Sequence, residues 1–337
     1  MTNKPTAKIL KVDTFKKIKT LEDKSLSLIL TSPPYNVGKE YETRQQFGEY
    51  LKPYRDFAHE CFRVLKDDGN IAWQVGNFNS DGEVFPLDIF FYEIFKDAGF
   101  VLRNRIIWHF RHGMHARHRL SGRYETILWM AKDSNSVFNL DPIRIPNLYP
   151  GKRVSRGPRA GELSGNPLGK NPGDFWPDIA LEEWERAYWD IPNVKSLHPE
   201  KTSVHPCQFP VELADRCILA LSNEGDIVLD PFAGVGSAAV SALRQGRNFI
   251  GFELSADYIK VAKDRLKQAR NGTLKVREPG TPIQVPSGKM AEIPEEWKSK
   301  GELGSLGKGR QDLTGQTPMR HEGILRRFFG RSGASEI

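Results

Sequence analysis

The chain has 337 residues, of which 39% are hydrophobic and 27% are charged, and its formal net charge is +7 at pH 7. This apolar fraction is sufficient to bury a core and excludes a wholly disordered chain. No apolar run approaches the roughly 18 residues of a membrane span, and the N-terminus lacks the apolar block of a secretory signal. The cysteines Cys61, Cys207 and Cys217 form no CxxC pair, which excludes a disulfide framework and a cysteine-based zinc site. We expect a soluble globular protein of a reducing, cytoplasmic compartment.

Short apolar or β-branched runs alternate along the chain with amphipathic stretches, as expected for a parallel sheet covered by helices. The predicted strands are Ile9–Val12, Leu26–Leu30, Ile71–Val75, Ile106–Trp108, Ile127–Met130, Ile227–Leu229 and Phe249–Phe252. Helices are predicted over Gln45–Leu65, Cys207–Leu221 and Ser255–Ala269, where apolar residues recur every three or four positions. This alternation predicts an α/β fold with a doubly wound, mostly parallel sheet.

Two regions interrupt the alternation. Residues 135–205 are rich in Pro, Gly, Arg and Trp, a composition typical of loops and of an inserted, substrate-facing subdomain. After Gly272 the chain is rich in Gly, Pro and basic residues. We expect a loosely ordered extension there, with a short helix near the C-terminus.

The segment 227–237, IVLDPFAGVGS, is an apolar strand that ends in Asp230 and is followed by a glycine turn and a helix-forming sequence. In open α/β sheets this arrangement forms a ligand crevice at the carboxyl ends of the strands. Gly234 and Gly236 allow close backbone approach to a ligand, and Glu253, about 20 residues on, stands where a carboxylate binds ribose hydroxyls. A phosphate loop is excluded because Ser-Ala follows Gly236, whereas a dinucleotide site is only disfavoured. The alternative to a ligand site is that the glycine turn serves only packing and that Glu253 is a solvated side chain.

A second motif, Ser32-Pro33-Pro34-Tyr35, follows the apolar run 26–31. Its two prolines fix two φ angles and leave nearby carbonyl groups as free acceptors. Ser32 adds a hydroxyl acceptor and Tyr35 an aromatic face, which together suit an exocyclic amino group on a ring stacked against Tyr35. Taken alone, a plain Ser-Pro-Pro turn after a strand explains the motif equally well.

Together the two motifs resemble those of the DNA amino-methyltransferases, which transfer methyl from S-adenosylmethionine to an exocyclic base nitrogen. In that family, [Asp/Asn/Ser]-Pro-Pro-[Tyr/Phe] is catalytic and Asp-Pro-Phe-x-Gly-x-Gly binds the methyl donor. Here the catalytic motif precedes the donor motif, an order similar to the permuted β class, and the resemblance extends over residues 8–270. The glutamine methyltransferases of release factors have the reverse order, which argues for nucleic acid as the substrate.

The resemblance implies a seven-stranded, Rossmann-like, circularly permuted methyltransferase sheet. Its parts would be a catalytic half (1–134), a target-recognition insertion (135–200), a donor-binding half (201–271) and a basic extension (272–337). It implies catalysis by Ser32, Pro33, Pro34 and Tyr35. The implied donor-binding residues are Asp13, His205, Asp230, Phe232, Gly234, Gly236, Ser237 and Glu253.

The stretch 101–124 contains six arginines and no acidic residue, and we expect it to contact DNA phosphates. The candidates for these contacts are Arg103, Arg111, Arg117, Arg119 and Arg123. A solvated basic face is the alternative. Histidines at 109, 112, 115 and 118 share this stretch, but no Cys or carboxylate completes a shell, so no metal site is predicted. Trp108 is either a wall of the base pocket or a core residue.

The function implied by the resemblance is site-specific methylation of a flipped base in double-stranded DNA, with S-adenosyl-L-methionine as the methyl donor. Ser-Pro-Pro-Tyr is similar to the motif of N4-cytosine enzymes and favours cytosine N4, with adenine N6 as the alternative. A catalytically inactive DNA-binding or donor-binding protein and a nicotinamide-dependent enzyme are alternatives of other classes. A homodimer and a cognate restriction endonuclease are partners that the resemblance allows.

Overall fold

A computed structural model of the protein describes residues 4–39, 42–110, 113, 115–147, 149–176, 191–195, 198–205 and 207–278. The described strands are β1 (Ala7–Lys11), β2 (Leu26–Thr31), β3 (Leu65–Val75), β4 (Asn77–Ser80), β5 (Glu83–Pro86), β6 (Val101–His109), β7 (Tyr124–Ala131), β8 (Phe175–Trp176), β9 (Ile227–Asp230) and β10 (Asn248–Glu253). The described helices are α1 (Thr14–Lys17), α2 (Phe47–Val64), α3 (Leu87–Asp97), α4 (Val211–Leu221), α5 (Ser237–Arg244) and α6 (Ala256–Arg270). Short 3₁₀ helices cover Ile18–Thr20 and Asp141–Ile143.

Eight of these strands form one sheet in the order β1–β10–β9–β2–β3–β7–β6–β8, and β4 pairs with β5 in a separate hairpin. In this order, each pair of neighbours among β1, β10, β9, β2 and β3 is parallel. β6 and β8 are also parallel, whereas β7 is antiparallel to both of its neighbours, β3 and β6. The predicted mostly parallel α/β sheet is therefore confirmed, and each of the seven predicted strands overlaps a strand of this sheet. The eighth strand, β8, contributes two residues from the inserted region.

Helices cover both faces of the sheet because successive side chains of a strand point to opposite sides. On β2, Leu28 and Leu30 join the core cluster formed with α4, α5 and α6, whereas Ile29 joins the cluster formed with α2 and α3. All six residues of β2 are buried, which is typical of a central parallel strand covered on both faces.

The position of the site follows from the strand order. β2 and β9 are adjacent and parallel, but β2 continues through α2 to β3 while β9 continues through α5 to β10 on the other side. Ligands of open α/β sheets bind outside the carboxyl ends of the strands at such a switch point. Thr31 and Asp230, which are 199 positions apart in the chain, meet there.

Helix α3 is not among the predicted elements, although its sequence carries a helical signal. Leu87, Phe91, Ile94 and Phe95 recur at helical spacing and are all buried. Gly99, at φ +103°, follows the end of the helix, as glycine often does. The aromatic run Phe90-Phe91-Tyr92 obscures this periodicity, because aromatic residues also favour strands.

The insertion and the extension differ in how they pack. Residues 149–174 contain no helix or strand where the structure describes them. Leu274 and Val276, by contrast, pack against the core, and Arg277 donates from Nη1 to Glu212 Oε2 at 2.8 Å in a buried ion pair. The first residues after Gly272 are therefore part of the packed unit and are not loosely ordered. The short helix predicted near the C-terminus lies outside the described residues.

Candidate active site

A cavity of about 710 Å³ lies at the carboxyl ends of β2 and β9. Its volume is within the range of ligand pockets, roughly 300–1,000 Å³. The predicted catalytic and donor-binding residues that line it are Ser32, Pro33, Pro34, Tyr35, Asp13, His205, Phe232, Gly234, Ser237 and Glu253. The structure thus brings both motifs to one cavity, although Asp230 and Gly236 are not part of its lining.

Asp230 instead links the two motifs from behind the cavity. It is fully buried, and its Oδ1 accepts the Thr31 hydroxyl at 2.6 Å and the Phe232 N–H at 3.0 Å. Its other oxygen, Oδ2, has no hydrogen-bond partner among the described residues. Burial, together with the nearby charge of Glu253, raises the pKa of Asp230 to about 7. The carboxyl group therefore connects the end of β2 to the glycine turn that follows β9.

Glu253 is held by three backbone N–H groups at the end of β10. Its Oε2 accepts from Gly234 at 2.9 Å, and its Oε1 accepts from Leu254 at 2.9 Å and Ser255 at 2.8 Å. A carboxylate has about four acceptor positions, so Glu253 retains capacity for a ligand hydroxyl group in the cavity.

His205 lines the cavity beside Gly234 of the glycine turn. Its ring centroid lies 4.7 Å from that of Tyr258, and its Nδ1 accepts the Cys207 N–H at 3.2 Å. Burial, with the positive charges of Lys201 and Arg265, lowers the pKa of His205 to about 4. The ring is therefore neutral at physiological pH and does not repel a positively charged ligand.

The glycine turn leaves no room for a side chain at Gly236, which caps α5 with φ +78°. A Cβ there would lie 3.1 Å from Ala262 Cβ, whereas Gly225, with φ +83°, has nothing within 4 Å of an added Cβ. We expect Gly225→Ala to cost about 1 kcal/mol of stability through backbone strain alone. Gly236→Ala should cost more, because α6 must also move. Urea unfolding of both variants measures the difference, and equal losses would contradict the steric argument.

The Ser32-Pro33-Pro34-Tyr35 segment is held by hydrogen bonds to its side chains and its backbone. Ser32 Oγ and the Tyr35 hydroxyl are 3.0 Å apart, and Tyr50 donates its hydroxyl to the Pro34 carbonyl at 2.7 Å. The Pro33 carbonyl has no hydrogen-bond partner among the described residues. Of the two proline carbonyls in the motif, Pro33 and Pro34, the Pro33 carbonyl is therefore the one available to a ligand.

The residue after the motif anchors the loop that follows. Asn36 has φ +60°, and its side chain is bonded to the Gln45 backbone in both directions, at 2.8 and 2.7 Å. The Glu42 carboxylate accepts the N–H groups of Asn36 and Val37, each at 2.8 Å. These bonds tie the loop back against the start of α2.

Two cavity-lining side chains, Glu125 and Gln74, are missing from the sequence prediction. Glu125 Oε2 accepts from Gln74 Nε2 and, at 3.4 Å, from the Tyr35 hydroxyl. Burial raises the pKa of Glu125 to about 7, although the bonds to Gln74 and Tyr35 and the charge of Lys195 lower it. The available signal in the sequence was the position of Glu125, a carboxylate at the start of the apolar run that forms β7.

Three of the predicted DNA-contacting arginines lie in the loop between β6 and β7. Arg117 and Arg119 are exposed, and Arg119 Nη2 donates to Asn79, a cavity-lining residue, at 2.8 Å. Arg123 Nη2 lies 3.3 Å from His115 Nδ1. This loop is therefore connected to the edge of the cavity.

The other arginines of the stretch are placed differently. Arg103 lies six residues before the end of β6, about 20 Å along the strand, and its guanidinium is 5.8 Å from the Trp129 ring centroid. Arg105 forms an ion pair with Asp88 at 2.5 Å, so this arginine has an acidic partner although the stretch 101–124 itself contains none. Asp88 is 17 positions away in sequence and becomes a neighbour only through the fold. Arg111 lies outside the described residues.

Trp108 is both a core residue and part of the cavity wall. It is buried, its Nε1 donates to the Ile191 carbonyl at 2.7 Å, and it also lines the cavity. His109 stacks on Phe175 with ring centroids 5.9 Å apart, and His112 lies outside the described residues. Where the chain is described, no three metal-ligating side chains group together. Among the described helices, none combines the length and apolar character needed to cross a membrane.

Comparison with known proteins gives a consistent result. Residues 26–264 match the model of the family described as DNA methylase. The type II methyltransferase M.BglII of Bacillus subtilis is 43% identical over 256 residues, covering 76% of this chain and 67% of that protein. The DNA adenine methyltransferase YhdJ of Escherichia coli (strain K12) is 32% identical over 266 residues, covering 77% of this chain and 83% of that protein.

Solved structures share the fold. TTHA0409 of Thermus thermophilus, described as a DNA modification methylase and solved with S-adenosyl-L-methionine, superposes with a TM-score of 0.52. It is 25% identical and covers 79% of this chain and 97% of its own. The cytosine-N4-specific PvuII DNA methyltransferase has a TM-score of 0.57 at 19% identity, covering 81% of this chain and 95% of its own, which is a likeness of fold.

Proposed function

The chain belongs to the DNA methylases that modify exocyclic amino groups, and we propose that within this family it methylates N4 of cytosine. The substrate is DNA and the methyl donor is S-adenosylmethionine. The placement of Ser32-Pro33-Pro34-Tyr35 in the same cavity as the glycine turn supports methyl transfer to an amino group, and the serine of the motif supports cytosine as the base.

The donor half of the cavity fits S-adenosylmethionine. Glu253 has acceptor capacity for the ribose hydroxyls, and the neutral His205 does not repel a sulfonium. Gly234 has φ +50°, and a Cβ on it would lie 3.0 Å from His205 Nε2, so a larger residue would strain the backbone and displace the His205 ring. We assign Asp13 to the adenine end, and Phe232 and Ser237 to the wall of the donor site. When bound, the donor supplies a methyl group on a positively charged sulfur.

The catalytic half of the cavity is assigned to the base. The target nitrogen is inside a duplex, so the base rotates out of the stack, at a cost of a few kcal/mol, to reach Ser32. Its amino group donates to Ser32 Oγ and the Pro33 carbonyl, which favours a pyramidal nitrogen whose lone pair is free to attack. Tyr35 provides the stacking face. The protein acts here by positioning and electrostatics, without a covalent intermediate.

Two target bases are compatible with these contacts. Cytosine and adenine both present an amino group beside a ring-nitrogen acceptor, and the Ser32 hydroxyl can accept or donate. The serine at the first position of the motif supports cytosine N4. The second candidate, adenine N6, is supported by the 32% identity to an enzyme named as a DNA adenine methyltransferase.

The test is the identity of the modified base in DNA from cells that express this chain. We expect N4-methylcytosine in one sequence context, detected by modified-base sequencing and confirmed by mass spectrometry of the nucleosides. Cells expressing the Ser32→Ala variant are the matched control and should lack the mark. N6-methyladenine in its place would refute the cytosine assignment and leave the family unchanged.

Contacts with DNA outside the cavity are also assigned. We assign Arg117, Arg119 and Arg123 to phosphate contacts, because their loop is joined to the cavity edge through Asn79. The loop-rich region 135–200 is assigned to target recognition, between the catalytic half 1–134 and the donor half 201–271. The type II names of several relatives support a cognate restriction endonuclease as a partner and the bacterial cytoplasm as the place of action.

A further inference from the structure

A chain of hydrogen bonds leads from Ser32 away from the base site. The Ser32 hydroxyl is 3.0 Å from the Tyr35 hydroxyl, which donates to Glu125 Oε2 at 3.4 Å. The second bond is long for an O–H···O contact. Catalytic hydrogen bonds are often long without substrate and shorten in the reacting complex. The chain therefore connects the catalytic serine to a carboxyl group at the start of β7.

The number of protons on Tyr35 sets the direction of this chain. Either hydroxyl can donate in the contact between Ser32 and Tyr35, but tyrosine has only one hydroxyl proton, and an ionised Glu125 can only accept it. In the contact between Ser32 and Tyr35, the proton must then come from Ser32. This leaves the lone pairs of Ser32 Oγ to accept a hydrogen from the amino group of the base. All donors along the chain point toward Glu125.

Glu125 is placed as the end of this chain. A Cβ on Gly76 would lie 3.1 Å from Tyr35 Cε2 and 3.2 Å from Glu125 Oε1, so the glycine makes room for both side chains. Neither Trp108, which pairs with Glu125 on β6, nor Gly76, which follows β3, carries a charge. The titratable groups that act on it are Tyr35 and Lys195, and its other bonded partner, Gln74, is neutral.

We propose that Glu125 is the final acceptor of the proton that the target nitrogen loses, reached from Ser32 through Tyr35. This inference rests on the proposed role of Ser32 but applies to either base. It makes Glu125 a residue that acts through two others, without contact with the reacting atoms.

The proton and electron balance of the step is complete. The nitrogen lone pair forms the new N–C bond while the C–S bond breaks and its electron pair stays on sulfur. The nitrogen, now positively charged, gives one proton to Ser32 Oγ. Ser32 passes its hydroxyl proton to Tyr35, and Tyr35 passes its own to the Glu125 carboxylate. The base and both hydroxyl groups end neutral, and Glu125 ends as a carboxylic acid.

The direction of the pH dependence follows from the ionisation of Glu125. The acceptor must begin as a carboxylate, and burial raises its pKa to about 7. The single-turnover rate of methyl transfer should therefore rise as the pH increases through about 7 and level off above it. Asp230 has a similar pKa, so the variants below are needed to assign this rise to one group.

The decisive variant is Glu125→Gln, whose amide oxygen can still accept from Gln74. We expect a loss of at least about tenfold in the plateau rate and no rise through pH 7, because general bases contribute roughly 100- to 10,000-fold. Glu125→Asp should restore part of the plateau rate and part of the rise through pH 7. Infrared difference spectra of the protein without ligands should show a carboxylic acid band that titrates near pH 7 and is missing in Glu125→Gln.

Two further variants separate a proton relay from a structural role. Gln74→Leu removes a bond that lowers the pKa of Glu125, so it should keep the rise and move its midpoint to higher pH. Tyr35→Phe breaks the relay, and the double variant with Glu125→Gln should lose little more than either single one.

A Glu125→Gln enzyme with the wild-type pH profile would overturn the proposal, as would a double variant whose loss equals the product of the two single losses. The substrate for these measurements is DNA that the wild-type protein methylates. An adenine product would therefore refute the cytosine assignment while leaving the test of Glu125 intact.

Discussion

Replacing Ser32 by alanine is expected to reduce the single-turnover rate of methyl transfer by about 100- to 1,000-fold, the effect typical of removing one preorganised polar group from an active site. The hydroxyl is the acceptor nearest the target nitrogen in our assignment, and it begins the chain to Tyr35 and Glu125. Without it, the lone pair of the nitrogen stays delocalised in the ring. Transfer of tritiated methyl to unmethylated DNA measures the rate.

Binding of the donor should be almost unchanged in this variant, because Ser32 lies on the catalytic side of the cavity. Calorimetric titration with S-adenosylhomocysteine should give a Kd within about twofold of the wild-type value. Ser25→Ala is the matched control: Ser25 lies just before the other end of β2, where its hydroxyl donates to the Glu22 carbonyl. A Ser32→Ala rate within threefold of the Ser25→Ala rate would show that Ser32 is not the catalytic acceptor.

Replacing Asp230 by alanine is expected to weaken donor binding by about 100-fold or more and to lower the free energy of unfolding by about 2 kcal/mol. The substitution leaves the Thr31 hydroxyl and the Phe232 N–H without their acceptor in a buried site. The loop that carries Gly234 and Phe232 then loses its connection to β2. Urea unfolding and calorimetric titration with S-adenosylmethionine measure the two effects.

Asp230→Asn separates the charge of this side chain from its hydrogen bonds. The amide oxygen can still accept from Thr31 and Phe232, so stability should stay within about 1 kcal/mol of the wild type. At pH 6 the wild-type side chain is mostly protonated, because burial raises its pKa to about 7. We expect the variant to match the wild type in donor affinity at pH 6 and to bind the sulfonium more weakly at pH 8. If the donor affinities of the variant and the wild type differ by the same factor at both pH values, ionisation of Asp230 plays no part in binding.

The apolar runs of β2 and β9, the helix after the glycine turn and the two motifs are visible in the sequence because each depends on a short, local pattern. Helix α3 has a local signal too, but its aromatic residues also favour strands and so obscure the helical spacing. Glu125 is visible as a carboxylate in the sequence, but the sequence does not show which residues lie beside it in the fold. The Ser32 hydroxyl suits both cytosine and adenine, so the choice of cytosine rests on the identity of the first residue of the motif.

The sequence by itself therefore determined the fold class, the order of the motifs and the resemblance to a family. Only the tertiary structure decided that Asp230 sits behind the cavity bonded to Thr31, that Asp88 pairs with Arg105, and that Glu125 meets Tyr35. Residues far apart in the chain become neighbours only through the order of strands in the sheet. Their ionisation then depends on how much water the packed structure excludes, which no local pattern records.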